Sequence, residues 1–148
     1  MNEVNKMNIY FVCTGNTCRS PMAEAILRAK QLVDVDVKSA GIYAMSGDQM
    51  SIGSSTVLEE QHMSMPHESS SVTEENVRWA DLILTMTTSH KRAFMDLFPF
   101  AADKTFTLKE YVRDEAGDIP DPYGGPVEAY RETFRVMKQL IDELERKI

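Results

Sequence analysis

The feature that most constrains this fold is a largely apolar run that leads directly into a cysteine-containing loop. Residues 7–12 read MNIYFV, which is typical of a buried strand, and residues 13–21 follow as CTGNTCRSP. Pro21 suits the first turn of a helix, where its missing N–H is not needed. Apolar residues then recur at helical spacing, at Met22, Ile26 and Leu27. The sequence therefore predicts a strand, a tight loop and a helix in immediate succession.

The loop has the composition of an anion-binding site. Gly15 and Asn16 tolerate the left-handed backbone that such a loop requires. The spacing lets backbone N–H groups point inward around a phosphate, from Thr14, Gly15, Asn16, Thr17 and Cys18. The N-terminus of the following helix adds positive potential, which favours both a bound phosphate and a cysteine thiolate. We therefore predict a phosphate-binding loop over residues 14–19, with Cys13 as its nucleophile.

Two side chains at the end of the loop support the same chemistry. Arg19 offers a planar guanidinium that binds phosphate through two hydrogen bonds, which a lysine cannot reproduce. Ser20 lies where a hydroxyl either caps the helix or donates to the Cys13 sulfur. The alternative is a buried cysteine in an ordinary strand-to-helix turn. The strand, the Gly-Asn pair and the Ser-Pro pair around the cysteine favour the catalytic interpretation.

A second candidate element lies far down the chain, where residues 118–125 read DIPDPYGG. Attack of a thiolate on phosphorus requires a proton for the departing atom, and a carboxylic acid on a loop can supply it. We predict Asp121 rather than Asp118 as this acid, because Pro122 holds Asp121 in an extended conformation. Taken alone, the segment is typical of a turn. Its pairing with the cysteine loop favours a catalytic role.

These two elements, in this order and near opposite ends of the chain, resemble the low-molecular-weight protein tyrosine phosphatase family. The resemblance covers essentially the whole chain from Met7 and includes the segments 39–41, 82–86 and 89–91. It implies that Asn16 holds the loop in shape. It also implies that Ser20 stabilises the thiolate.

The same resemblance assigns the reaction steps. It implies that Cys13 forms a phosphocysteine and that Arg19 clamps the phosphate. It implies that Asp121 is the general acid of the first step and the base for hydrolysis of the intermediate. Animal members often carry two adjacent tyrosines after the Asp-Pro pair. Here Tyr123 is followed by Gly124, so regulation through a second tyrosine is not expected.

The bacterial protein-arginine phosphatases are the branch that this chain resembles more closely, through CTGNTCRS at 13–20 and DPYGG at 121–125. The tyrosine-directed branch typically has a larger aliphatic residue where Thr17 stands. A smaller residue leaves room for a phosphoguanidinium, and such steric selection is worth about 1–3 kcal/mol. Asp121 would then pair with the substrate guanidinium while Tyr123 stacks on it. The resemblance therefore implies hydrolysis of phosphoarginine residues, unless Thr17 contributes only its N–H.

Three other functions remain as alternatives. A protein tyrosine phosphatase would use the same loop and acid. Thioredoxin-coupled arsenate reductases share the fold but need further cysteines near the third strand, and residues 80–95 contain none. A non-catalytic phosphate-binding module would require broken geometry around Cys13, Arg19 and Asp121. A nucleotide-binding protein is disfavoured because the sequence has neither a Walker loop nor a dinucleotide glycine pattern.

Composition restricts the partners and the compartment. The 148 residues predict a single domain over 1–148, with 1–6 as a disordered extension. A net charge of -7 argues against nucleic acid as a ligand. No stretch is long and apolar enough to cross a membrane, and residues 1–6 lack a signal-peptide core, so we expect a cytoplasmic protein. We expect a monomer that acts on phosphorylated proteins and releases inorganic phosphate.

The cysteines and histidines show no metal-ligand spacing, so neither a metal nor an organic cofactor is expected. Cys18 is either a redox partner that traps an oxidised Cys13 as a disulfide or a buried residue at the helix start. We interpret His62 and His67 as surface or helix-end residues. His90 is a candidate for capping or buttressing the active-site loop.

Strand and helix patterns alternate along the chain. Strands are predicted at 9–12, 35–39, 81–85 and 104–107, and helices at about 21–33, 54–63, 89–98 and 126–147. Another short helix is predicted to start at a Thr73 cap. The last helix has one apolar face, formed by Val127, Tyr130, Phe134, Met137, Ile141, Leu144 and Ile148.

This alternation predicts an α/β three-layer sandwich, with a four-stranded parallel sheet in the order 2-1-3-4 and helices on both faces. Ligands of such sheets bind beyond the carboxyl ends of the strands, where Cys13 is expected. Ile42 and Tyr43 are expected to form a wall of the substrate cleft. The methionines between residues 41 and 71 are expected to be buried or half-buried.

Overall fold

A computed structural model describes residues 6–148. Its four strands are β1 Met7–Cys13, β2 Val35–Gly41, β3 Leu82–Thr85 and β4 Thr105–Thr107. They form one parallel sheet in the order β2-β1-β3-β4, as the sequence predicts. The carboxyl ends of all strands therefore share one edge. Apart from Lys6, the disordered extension predicted over 1–6 lies outside the described residues.

Helices follow the strands at positions close to those predicted. They are α1 Arg19–Ala29, α2 Ile52–Glu60, α3 Glu74–Trp79, α4 Thr88–Leu97, α5 Leu108–Arg113 and α6 Val127–Glu145, with a 3₁₀ helix over Pro99–Lys104. As predicted, the Thr73 hydroxyl caps α3 by accepting the Asn76 N–H. Across residues 6–148, none of these helices has the length and apolar character needed to cross a membrane.

The sequence analysis missed helix α5, although the chain carries a signal for it. The Thr107 hydroxyl accepts the Glu110 backbone N–H at 3.1 Å, and the Glu110 carboxylate accepts the Thr107 N–H at 3.2 Å. This reciprocal pair is a capping box, and its pattern, Thr-x-x-Glu, is readable in the sequence. The helix is only six residues long, so its hydrophobic period is too short to be recognised.

Hydrophobic cores lie on both faces of the sheet. One core joins α1, α2, α5 and α6 to the sheet, and the other joins α3 and α4 to its opposite face. The buried residues of α6 are Tyr130, Thr133, Phe134, Met137, Leu140, Ile141 and Leu144. The ends of the predicted stripe, Val127 and Ile148, are only partly buried. Thr133 and Leu140 widen the stripe because α6 packs against α1, α2 and α5.

The methionines in the segment after β2 are buried only in part as the sequence predicts. Met50, Met63 and Met65 pack half-buried against the larger core. Met45 instead has 74% of its surface exposed. The expectation of burial is therefore wrong for Met45, which lies in the irregular segment between β2 and α2.

Candidate active site

A cavity of about 260 Å³ opens beyond the carboxyl end of β1. Its walls are formed by Cys13, Thr14, Gly15, Thr17, Cys18, Arg19, Asp121 and Tyr123. The structure thus brings the cysteine loop and the distant 118–125 segment to one site. Asn16 and Ser20, the other two predicted site residues, are fully buried and do not line the cavity.

Cys13 lines this cavity and is 3% exposed. Its Sγ is 2.8 Å from the Ser20 hydroxyl oxygen, as the sequence analysis expected. Burial raises the pKa of Cys13, whereas hydrogen bonds from Ser20 and from the Asn16 backbone, together with the Arg19 charge, lower it. The loop contacts therefore act in the predicted direction. Burial opposes them and raises the pKa on balance.

Asn16 holds the loop in place from behind. Its backbone is left-handed, with φ of 57°, which asparagine tolerates better than most residues. Its amide nitrogen donates to Ser20 Oγ at 2.8 Å and to Ser39 Oγ at 2.9 Å. Its amide oxygen accepts the Ser70 N–H at 2.9 Å. The side chain therefore ties the loop to β2 and to the segment before α3.

Two further residues extend this support, and the sequence analysis did not identify them. His67 Nε2 lies 2.7 Å from the Asn16 carbonyl oxygen, and the ring is half-buried. The expectation of a surface or helix-end histidine is therefore wrong for His67. Glu24 accepts a hydrogen bond from Ser39 Oγ at 2.6 Å and one from Arg28 Nε at 2.7 Å. The supporting contacts join His67 to Asn16 across 51 positions and Glu24 to Ser39 across 15, so no local pattern marks either role.

The Arg19 guanidinium forms the side of the cavity that faces the 118–125 segment. It is 5% exposed, and its Nη1 donates to the Ile119 carbonyl at 2.8 Å. Its Nη2 lies 3.6 Å from Asp121 Oδ2, while Asp121 itself is half-exposed and accepts the Tyr123 N–H at 3.0 Å. Asp118 instead accepts the Thr88 N–H at 2.8 Å, at the N-terminus of α4. Asp121 faces the cavity, and Asp118 anchors its segment to α4.

Of the remaining candidate residues, Thr17 and Tyr123 line the cavity. Thr17 is half-buried, and Tyr123 is 76% exposed. Ile42 and Tyr43 do not line the cavity, so the expectation that they form its wall is wrong. Their backbone N–H groups donate to the carbonyls of Cys13 and Thr14, at 2.9 and 3.0 Å. They support the loop through the main chain.

Cys18 points away from bulk solvent and toward α2 and α6. Its Sγ donates to Ser51 Oγ at 3.4 Å and lies 3.7 Å from the Tyr130 hydroxyl. Both Cys13 and Cys18 are free thiols in this structure. The placement fits a buried helix-start residue and leaves the redox role as a prediction.

His90 contacts the loop from the other side, as the sequence analysis expected. Its Nε2 lies 2.6 Å from Thr14 Oγ1. Burial and the Arg19 charge lower the pKa of His90 to about 4, against the opposing effects of Asp121 and Asp118. The imidazole is therefore neutral at physiological pH.

A protein-family model described as low molecular weight phosphotyrosine protein phosphatase matches residues 8–148. The chain belongs to this family. The match includes the cysteine loop, the 118–125 segment and all four strands but for the first residue of β1. Cys13, in the loop after β1, is the cysteine at the carboxyl end of a strand within this match.

Several curated relatives of this phosphatase are similar over nearly their whole length. A protein named protein-arginine-phosphatase from Geobacillus stearothermophilus is 49% identical over 140 residues, which is 95% of each chain. Another of that name from Bacillus subtilis is 41% identical over 96% of this chain and 97% of its own. The low molecular weight protein-tyrosine-phosphatase PtpB of Staphylococcus haemolyticus is 42% identical over 93% and 97%, respectively.

Solved structures of arginine phosphatases are also similar to this chain over nearly its whole length. The YwlE arginine phosphatase from Geobacillus stearothermophilus aligns with a TM-score of 0.94 and 49% identity, over 95% of this phosphatase and 92% of that chain. A YwlE arginine phosphatase structure described as a cysteine-to-serine mutant with a phosphorylated active-site serine aligns with a TM-score of 0.92. It is 41% identical over 95% of both chains.

Gly41 lets the end of β2 approach the loop, and its replacement gives the first prediction. A Cβ at this position would lie 2.5 Å from the Thr14 carbonyl oxygen and 2.8 Å from the Asn16 nitrogen, both backbone atoms that cannot rotate away. We expect Gly41→Ala to lower kcat/KM for an aryl phosphate about 10- to 100-fold, because small displacements of a catalytic loop have large effects. We also expect it to cost about 1–3 kcal/mol in the free energy of unfolding.

Gly47→Ala is the matched control for this prediction. Gly47 has open space around its Cβ position but a φ of 91°. The control is expected to cost about 1–2 kcal/mol of stability, with kcat/KM unchanged. Steady-state kinetics and thermal unfolding on both variants separate loop displacement from general destabilisation. Equal kcat/KM values in Gly41→Ala and wild type would contradict the steric argument.

Proposed function

We propose that this phosphatase hydrolyses phosphoarginine residues of proteins through a phosphocysteine intermediate. The observation that carries the proposal is the convergence of Cys13, Thr17, Arg19 and Asp121 on one cavity. Relatives named protein-arginine-phosphatase, at 49% and 41% identity over nearly full length, support it. The proposed partners are phosphorylated proteins, and the released product is inorganic phosphate.

In the first step, the Cys13 sulfur attacks phosphorus and the bond from phosphorus to the guanidino nitrogen breaks. Asp121 gives its proton to that nitrogen, so arginine departs with its guanidinium restored. Loop N–H groups and the Arg19 guanidinium bind the phosphoryl oxygens as their charge redistributes. A structure of a related arginine phosphatase, described as having a phosphorylated serine in place of its cysteine, supports Cys13 as the group that receives the phosphoryl.

In the second step, the Asp121 carboxylate takes a proton from water as the water oxygen attacks phosphorus. The P–S bond breaks, inorganic phosphate leaves, and the electron pair returns to Cys13 as a thiolate. The Ser20 hydroxyl, 2.8 Å from the sulfur, stabilises that thiolate by donating to it. Asp121 ends the cycle protonated, ready for the next substrate.

Thr17 and Asp121 support a guanidinium-bearing substrate. Both line the cavity, and the 54% exposed side chain of Asp121 presents a carboxylate that matches a guanidinium fork. Tyr123 is exposed at the mouth, where its ring is free to stack on the substrate. These contacts favour phosphoarginine over a neutral phosphotyrosine ring.

Protein tyrosine phosphatase activity is the second candidate, and the family description and the PtpB relatives favour it. The deciding experiment measures kcat/KM for a phosphoarginine peptide and a phosphotyrosine peptide of the same sequence, on the same reduced enzyme. We expect a clear preference for phosphoarginine. A preference for phosphotyrosine would overturn the substrate assignment and leave the roles of Cys13, Arg19 and Asp121 intact.

Thr17→Ile is the second prediction, and it tests the basis of that preference. The larger side chain fills space in the cavity that the phosphoguanidinium would occupy. We expect the phosphoarginine to phosphotyrosine ratio of kcat/KM to fall about 10- to 100-fold. Thr17→Ser, which keeps a small polar side chain, is the control and is expected to retain the wild-type ratio. An unchanged ratio in a well-folded Thr17→Ile enzyme would refute selection by size.

Three further proposals concern regulation and setting. Oxidation of Cys13 by a peroxide gives a sulfenic acid, which the Cys18 thiol then traps as a disulfide with release of water.

The other two proposals concern the cellular setting and the class of substrate. A monomer in the reducing cytoplasm fits a phosphatase that depends on a free thiol. The negative net charge of -7 supports protein substrates rather than nucleic acid, which basic surfaces bind.

A further inference from the structure

His90 and Thr14 form a pair beside the cavity and have no side-chain role in the steps above. Thr14 lines the cavity, and its hydroxyl oxygen lies 2.6 Å from His90 Nε2. The two residues are 76 positions apart, so the contact joins the phosphate loop to helix α4. At this distance the two atoms form a hydrogen bond, and the tautomer of His90 determines which of them donates.

The surroundings of the other ring nitrogen, Nδ1, indicate which tautomer His90 adopts. His90 Nδ1 is buried and, among the described residues, has no hydrogen-bond partner. A buried N–H without an acceptor is costly, and buried donors are left unpaired more rarely than acceptors. The favoured tautomer of the neutral ring therefore carries its hydrogen on Nε2 and leaves a bare lone pair on Nδ1. Nε2–H then donates to Thr14 Oγ1.

This donation determines what the Thr14 hydroxyl does. Once one of its lone pairs accepts the Nε2–H, the Thr14 O–H is itself free to donate. Thr14 lines the cavity beside Cys13 and Arg19, where the proposed reaction would place a phosphoryl oxygen as the acceptor. A hydrogen bond to such a charged group is among the stronger ones in proteins.

We infer that His90 is a positioning residue that turns the Thr14 hydroxyl toward the cavity, where it donates to the phosphoryl group as a side-chain addition to the backbone N–H cradle. The inference rests on the proposed phosphatase reaction at this site but not on the choice of phosphoarginine. Adding a second proton to His90 would place an unpaired N–H in a buried position that also faces the Arg19 charge. The neutral ring, with a pKa lowered to about 4, is therefore the form that acts.

The test uses five variants and p-nitrophenyl phosphate, with inorganic phosphate as competitive inhibitor. Thr14→Val removes the hydroxyl at constant shape, and His90→Leu removes the ring donor. The double variant closes a mutant cycle. His90→Gln keeps an N–H near the position of Nε2 and tests for rescue. His62→Leu, which changes an exposed histidine at the end of α2 outside the cavity lining, is the matched control.

We expect Thr14→Val and His90→Leu each to weaken phosphate inhibition and lower kcat/KM about 10- to 100-fold. The double variant is expected to be no worse than either single one, because both remove the same hydrogen bond. His90→Gln is expected to recover most of the loss, and His62→Leu to match wild type. Thermal unfolding of each variant shows whether it is folded.

Additive losses in the mutant cycle would overturn the inference, as would His90→Gln performing no better than His90→Leu at equal stability. Unchanged phosphate inhibition in Thr14→Val would also overturn it. Because the assay uses an aryl phosphate, a failure to prefer phosphoarginine overturns the proposed substrate without affecting this test. Absence of any aryl phosphate hydrolysis by the wild type would overturn both.

Discussion

Cys13→Ser is expected to lower kcat at least about 10⁴-fold while inorganic phosphate still binds. Serine occupies nearly the same volume, so the loop and its contact with Ser20 are retained. An alcohol, however, is a far weaker acid than a thiol and provides almost no anionic nucleophile at neutral pH. The proposed binding groups for phosphate are the loop N–H groups, the Thr14 hydroxyl and Arg19, which the substitution leaves in place. The loss is therefore expected in the chemical step and not in ligand binding.

Two measurements check this expectation. Single-turnover kinetics with p-nitrophenyl phosphate follow the chemical step, and calorimetric titration with inorganic phosphate follows binding. Alkaline quenching of the wild-type reaction and mass spectrometry of the peptide containing Cys13 should detect the phosphocysteine. Sustained multiple turnover by Cys13→Ser would remove Cys13 as the nucleophile. Loss of phosphate binding would instead show that the sulfur is needed for the shape of the loop.

Asp121→Asn is expected to slow hydrolysis of substrates with poor leaving groups about 10²- to 10⁴-fold. The amide is close in shape to the carboxyl group but cannot deliver a proton to the departing atom. Substrates whose leaving groups depart readily as anions need no such proton, so their first step should change little. The Arg19 guanidinium keeps its 2.8 Å hydrogen bond to the Ile119 carbonyl in this variant, so the phosphate clamp is retained.

The measurement is a series of aryl phosphates that differ in the pKa of the leaving phenol. A steeper dependence of kcat/KM on that pKa in Asp121→Asn than in wild type supports proton donation. Asp118→Asn is the matched control, because the same change there alters a residue that accepts the Thr88 N–H of α4. An asparagine oxygen still accepts that bond, so the leaving-group dependence should not change. Equal losses across the series in Asp121→Asn would indicate a structural role.

The elements that the sequence predicted well are those whose evidence is local. The strand before Cys13, the Pro21 helix start and the long apolar stripe of α6 each lie within one stretch of chain. The strand order 2-1-3-4 was predicted from the alternation of strands and helices, and the sheet has that order. Helix α5 was missed because six residues are too few for a period, although its capping box was present.

Predictions about long-range support were less successful. His67 contacts Asn16 across 51 positions and Glu24 supports Ser39, and neither role has a local signal. Ile42 and Tyr43 support the loop through their main chain, which no side-chain pattern reveals. The loop contacts that favour the Cys13 thiolate are local and readable in the sequence. The burial that raises its pKa is a property of the folded chain.

The sequence by itself determined the chemistry of the loop, because a nucleophile, an anion cradle and a guanidinium within seven consecutive residues need little more than a strand and a helix to hold them. Asp121 and His90 were candidates from the sequence, but only the tertiary structure decided how they meet the loop. Asp118 binds α4 and so anchors the segment from which Asp121 faces the cavity, and His90 meets Thr14 because β1 and β3 are neighbours. Such contacts depend on strand order and helix packing, which bring together residues that share no local pattern.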